Sequence, residues 1–157
     1  ALANDTLFAN QASGGAALYC YFDQATATSS LRNLILWGDQ PDELDYSWGS
    51  GSGTFALTYS DVEGGTGQPW FGTGSISADP LFVDPAALDL RLGWASFPVP
   101  DATRSPCIDS GDPASPDDPD GTRADMGALP FDQSGLQPLF ADGFESGTTG
   151  AWSAVAP

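Results

Sequence analysis

A solenoid of short stacked β-strands is the fold class predicted for this 157-residue chain, and two observations carry the prediction. A nine-residue unit at residues 2–10, Leu-Ala-Asn-Asp-Thr-Leu-Phe-Ala-Asn, aligns without gaps on residues 31–39, and a weaker copy comes at 57–64. The offsets, 29 and then 26 residues, fall in the range where each repeat makes one stacked unit that cannot bury its apolar face alone. Second, Asn4 and Asn33 hold the same place in the first two copies. Asparagine tolerates a left-handed bend, and stacked asparagines can bond from one unit to the next.

Residues 1–69 are expected to form about three coils. A bend at the asparagine turns Leu2, Leu7, Leu31, Leu36, Leu57 and Val62 inward, and residues 16–22 read as a further strand on another side of the coil. The glycine pairs at 14–15 and 64–65 mark tight turns, and the polar segment 41–53 reads as a long loop. Residues 70–131 are rich in Pro and Asp and cannot form long strands, because proline donates no ladder hydrogen bond. They are expected to wrap the end of the coils as an irregular cap, covering an edge that would otherwise invite aggregation. Residues 132–157 form a tail. No segment keeps helical periodicity beyond two turns.

Composition narrows the function. Aromatic residues make up 11% and Gly plus Pro about a fifth, values of a folded chain. Eighteen Asp and three Glu face four Arg, with no Lys and no His, for a net charge of −17. That balance excludes nucleic acid and anionic membrane as partners and suits divalent cations or cationic surfaces. Part of it is turn chemistry, since the short Asp side chain bonds nearby amides. No apolar run approaches membrane-spanning length, so no transmembrane segment is expected. With neither an initiator Met nor a signal peptide at Ala1, the chain reads as a processed product or a piece of something longer. Cys20 and Cys107 either form a disulfide, contributing about 4 kcal/mol by closing a long loop, or stay separate buried thiols.

The ordered motifs 33–38 (Asn-Leu-Ile-Leu-Trp-Gly), 58–65, 78–85, 105–112 and 123–128 resemble bacterial secreted proteins with right-handed parallel β-helix repeats, of the kind whose ends carry assorted surface anchors. The likeness spans about residues 1–131, and the tail resembles a short extension found on many exported bacterial proteins. The resemblance implies an all-β, right-handed parallel β-helix and an extracellular or cell-surface location in a bacterium. It implies no single activity.

Three sets of residues could carry chemistry. Strand alternation directs Thr6, Ile35 and Asp61, and then Phe8, Trp37 and Glu63, outward in two columns. Aromatic rings beside a carboxylate (Phe8, Trp37, Asp61, Glu63) could stack on sugar rings; alternatively a loop or the cap covers them as ordinary core. The acidic run Asp109, Asp112, Asp117, Asp118, Asp120 and Asp125 could hold calcium, which takes several oxygen ligands. It does not fit an EF-hand, whose first and twelfth positions would be Pro116 and Gly127; the alternative is a set of Asx-turns with an Arg123 ion pair. Catalysis is narrowed by the missing histidine, which removes Ser-His-Asp and Cys-His arrangements and weakens zinc or copper sites. A carboxylate pair such as Asp61 and Glu63 remains, as in glycosidases or β-helix lyases. The function expected is a non-enzymatic exported surface or matrix protein, adhesive or structural, stacking with its own copies through an exposed N-terminal coil. A polysaccharide-binding module, or a fragment of a polysaccharide lyase or glycosidase, is the alternative.

Overall fold

The computed structural model describes residues 1–22, 30–49 and 55–135. The strands are β1 (Leu2–Phe8), β2 (Leu18–Phe22), β3 (Ser30–Trp37), β4 (Leu44–Trp48), β5 (Ala56–Thr58), β6 (Asp61–Val62), β7 (Phe82–Asp84) and β8 (Asp89–Leu92). β1 pairs in parallel with β3, and β3 pairs on its other side with β5 and β6. The register matches the repeat: Leu2 opposes Leu31, Leu31 opposes Leu57, Leu7 opposes Leu36, and Leu36 opposes Val62. β2 and β4 form a second, two-stranded parallel sheet, and β7 and β8 an antiparallel pair.

This arrangement corrects the expected three-coil right-handed parallel β-helix. The strands lie in three separate sheets, and no closed coil is formed among the described residues. The reason lies in the third repeat. Its strand is broken into β5 and β6, three and two residues long, and the chain then runs on through a series of turns. Beyond β5 and β6 the ladder is continued by the isolated bridges Leu57–Phe71 and Asp61–Ile76, not by a further strand, and no third strand joins β2 and β4 among the described residues. The polar loop expected at 41–53 is instead partly strand, since β4 occupies its middle; its last residues, and the tail beyond 135, lie outside the described residues.

Two apolar clusters sit on opposite faces of the first sheet. The first gathers Leu31, Leu34, Leu36, Leu57, Val62, Phe22, Leu44, Phe55 and Trp70, with Leu2 and Leu7 packed against it. The second gathers Ile35 with Leu92, Cys107, Ile108 and Met126. Within β3, Ile35 alternates with Leu34 and Leu36, so the residue between them must face the other way. Leu31 and Leu34 nevertheless share a face, three apart, because Asn33 has φ 53° and resets the alternation. Asn4, in the same position of β1, has φ 55°.

Asn33 is fully buried, and its polar groups are satisfied. Its amide nitrogen donates to Asn4 Oδ1 at 2.9 Å and to Ser115 Oγ at 3.1 Å. Its side-chain oxygen accepts the Asp112 amide at 2.7 Å, and its carbonyl accepts the Gly127 amide at 2.8 Å. In the third repeat Tyr59 takes the bend with φ 48°, and Ser60 Oγ accepts the Leu34 amide at 3.0 Å. Asn33→Ala leaves the Asp112 amide and its other partners unmatched and puts a Cβ residue without a local bond in left-handed backbone. A loss of about 3 kcal/mol is expected in chemical denaturation. Asn33→Gly, which accepts the bend but also gives up the side-chain bonds, should lose less, and equal losses would mean that the left-handed backbone adds nothing to the cost.

Candidate functional site

The densest polar chemistry lies where residues 78–131 close over the first sheet. Asp61 on β6 opposes Ile35 on β3, so its side chain enters the second cluster rather than solvent. It is fully buried. Its carboxylate accepts the Ala78 amide at 3.1 Å and the Cys107 thiol at 3.2 Å. No cation balances it among the described ion pairs. Burial pushes its pKa up to about 6, with Asp79 adding repulsion, while the Ala78 amide and the Cys107 thiol pull the other way. Burial and the neighbouring Asp61 charge push the Cys107 thiol far upward. It remains protonated and is no nucleophile. Its own amide donates to Ser105 Oγ at 3.2 Å.

The expected sugar-binding set is divided by this closure. Ile35 is buried, Phe8 and Trp37 are half-buried, and Glu63 is exposed. The Phe8 ring meets the Phe82 ring edge-on at 5.5 Å, and Trp37 packs against the second cluster. Glu63 accepts the Gly38 amide at 2.8 Å. The cap thus covers Asp61 and stops short of Glu63, so the two carboxylates do not face solvent as an acid–base pair.

The cysteines are free thiols. Cys20 packs against the first cluster and Cys107 lies within the second, so the sheet itself stands between them and the disulfide alternative is set aside.

The acidic run is used as backbone caps. Asp112 accepts the Ala114 amide, Asp118 the Asp125 amide, and Asp120 the Thr122 and Gln133 amides. Asp125, 3% exposed, accepts the amides of Asp109 and Phe131, each at 2.7 Å. Among the described residues no group of three or more His, Cys, Asp or Glu is arranged to hold a metal ion. The calcium set of Asp112, Asp117, Asp118, Asp120 and Asp125 is therefore not brought together; Asp112, Asp118, Asp120 and Asp125 each turn an oxygen to a backbone amide instead. The expected Arg123 ion pair is replaced by bonds from its guanidinium to the Gly111 and Ser110 carbonyls. The charge pairs of this run are Arg104 with Asp109, at 2.8 Å, and the looser Arg32 with Asp112, at 3.9 Å. Burial, with Asp118 and Asp109 nearby, raises Asp125 to about 6 against the pull of its two amides.

A second buried acidic pair, Asp39 and Glu43, was not singled out by the sequence. Asp39 accepts both the amide and the side chain of Asn10, and Glu43 accepts the Asp39 amide at 2.9 Å. Burial and the Asp39 carboxylate hold Glu43 well above the usual carboxylate range, with Glu63 adding to the repulsion. The signal was present: Asn10 and Asp39 share the ninth repeat position, and Glu43 stands four residues later across Pro41.

No protein family model matches the chain, and neither the curated proteins nor the solved structures compared with it give a match.

Because Asp61 and Asp125 bind protons more tightly folded than unfolded, their contribution to stability is complete below the ordinary carboxylate value near 4. It is lost as pH climbs through about 6. The melting temperature should therefore rise as pH falls from 8 to 5. Asp61→Asn should flatten that rise near pH 6, removing up to about 3 kcal/mol of pH dependence. A wild-type melting curve that does not move across this range would contradict the assignment.

Proposed function

We propose that the chain is a non-enzymatic, exported surface or matrix element, adhesive or structural, that joins a second copy of itself through the open edge of β1. The pairing pattern carries this reading. β1 has β3 on one side and no strand on the other among the described residues, and β2 likewise has only β4. An unpaired row of backbone groups is a template for another strand. Half-buried Leu2, Leu7, Ala17 and Leu18 lie along these two edge strands and the chain leading into β2, and their remaining surface would be buried on pairing. The fate of the acids supports the non-enzymatic half, since Asp61 and Asp125 are closed in and bonded to amides. Export is proposed from the resemblance of the motif order to secreted bacterial proteins. A charge of −17 per copy opposes association, so added salt should drive it. Sedimentation at rising protein and salt concentrations should show a dimer that the double variant Ala3→Lys/Asp5→Lys returns to monomer. A monomer under every condition would end this reading.

A second reading, polysaccharide binding, rests on different residues from those first expected. Tyr19 and Tyr21 alternate with inward Cys20 and Phe22 on β2 and are 54% and 61% exposed. Asp45 and Ser47 stand opposite them on β4, and the Tyr19 hydroxyl meets Ser47 Oγ at 2.7 Å. Two rings on one strand face, flanked by a carboxylate and hydroxyls, suit a row of sugar rings. Tyr19→Ala/Tyr21→Ala should abolish retardation in gels containing a neutral polysaccharide while the melting temperature holds. Unchanged mobility of the wild type in such gels would exclude it.

A further inference from the structure

We infer that the groove between the β7–β8 pair and the Pro130–Asp132 strap binds an extended peptide that alternates apolar and cationic side chains. The groove is open and of about 870 Å3, and its apolar lining includes Phe82, Val83, Trp94, Ala102 and Phe131. Val83, in this lining, is 54% exposed, and Leu129, next in sequence to the strap, is 47% exposed. Across the strap lies a smaller hollow of about 270 Å3 that shares Pro130, Phe131 and Asp132 and adds Asp118 and Asp120.

Charge selects the occupant. Asp120 and Asp132 accept hydrogen bonds from Thr122, Gln133 and Ser134. Against the opposing effect of burial, those bonds hold both carboxyls below their usual range, so they stay ionised. Arg91, the cation in the groove lining, is already gripped by Asp89, with Nε at 2.8 Å from Oδ1 and Nη2 at 2.5 Å from Oδ2. The combined surface therefore offers apolar contact on one side of the strap and uncompensated negative charge on the other. An extended strand, whose successive side chains point to opposite sides, meets both at once.

Sugar is the weaker fit here. Trp94 has the Arg104 guanidinium 4.8 Å from its ring centre and the Phe97 and Phe131 rings packed against it at 4.9 and 5.8 Å. Its faces are taken up by protein neighbours, leaving the groove to accept a side chain rather than to present a stacking platform.

The proposal does not rest on association through β1, and the test keeps the two apart. Full-length chain is titrated into a labelled peptide alternating leucine and lysine, then into its leucine–glutamate counterpart, and the anisotropy is recorded. Saturable binding of the lysine peptide, weakened by salt, is expected, with none of the glutamate peptide. Val83→Lys, at an exposed position, should weaken binding roughly tenfold, and Ala102→Trp, which fills the groove, should do the same. Both should leave melting unchanged, and the β1-edge variant should bind as wild type. Equal binding of both peptides, or indifference to both groove variants, would overturn the proposal. So would preference for a neutral oligosaccharide that the groove variants abolish.

Discussion

One buried carboxamide holds the two halves of this molecule together. Asn33 sits where β3 bends into left-handed backbone, and that bend lets Leu31 and Leu34 share a core face while Ile35 turns to the other. The same residue binds Asn4 on the neighbouring strand and the Asp112 and Gly127 amides of the covering segment. Only a side chain with donors and an acceptor on one short stem can serve the strand stack and the cap from a single point. Gly127 completes the fit. At φ +94° it lies so close to β1 and β3 that an added Cβ would stand 2.7 Å from Ile35 Cδ1 and 2.8 Å from Thr6 Oγ1.

The covering segment itself has little regular structure, and its backbone amides still need acceptors. Aspartate supplies them. Asp79, Asp84, Asp101, Asp112 and Asp120 each accept an amide two or three residues ahead, and Asp118 and Asp125 reach further to tie turns together. The strongly acidic composition is in large part the cost of folding residues 78–131 with no helix beyond one 3-10 turn at Pro85–Ala87 and no long strand. These carboxylates are spread along the segment, each beside the amides it serves, and among the described residues no three of them converge on one centre. Arginine does related work with opposite polarity, as when Arg123 serves the carbonyls of Ser110 and Gly111.

Much of the strand pairing was legible, because the repeat carries it in side-chain chemistry. Leu2, Leu31 and Leu57 oppose one another at the spacing of the aligned units, and the Asn4–Asn33 bond is the stacked pair the alignment places there. Closure of the coil was not legible. It depends on a third strand beside β2 and β4, and the repeat specifies only the other side of the stack. The site was harder still. Alternation put Asp61 correctly on the face of Ile35, but which part of that face meets water is decided by Cys107, Ile108 and Met126, more than 40 residues later in the sequence. Those three apolar residues, scattered among aspartates and prolines, were the available sign that the acidic segment turns a greasy side to the sheet.

Asp61, Cys107 and Asp125 are enclosed, and the two surfaces proposed above to meet another molecule are a strand edge and a groove. They lie on different elements. The open ladder edge belongs to β1 and β2, whereas the groove belongs to β7, β8 and the strap. Backbone pairing at an edge reads shape and register and is indifferent to most side chains, while the groove reads apolarity and charge. An edge contact between like copies works against a charge of −17 on each, and a cationic peptide in the groove lowers that same charge. The proposed edge contact is thus hindered by the negative charge that favours the proposed groove contact, so salt moves the two in opposite directions and tells them apart.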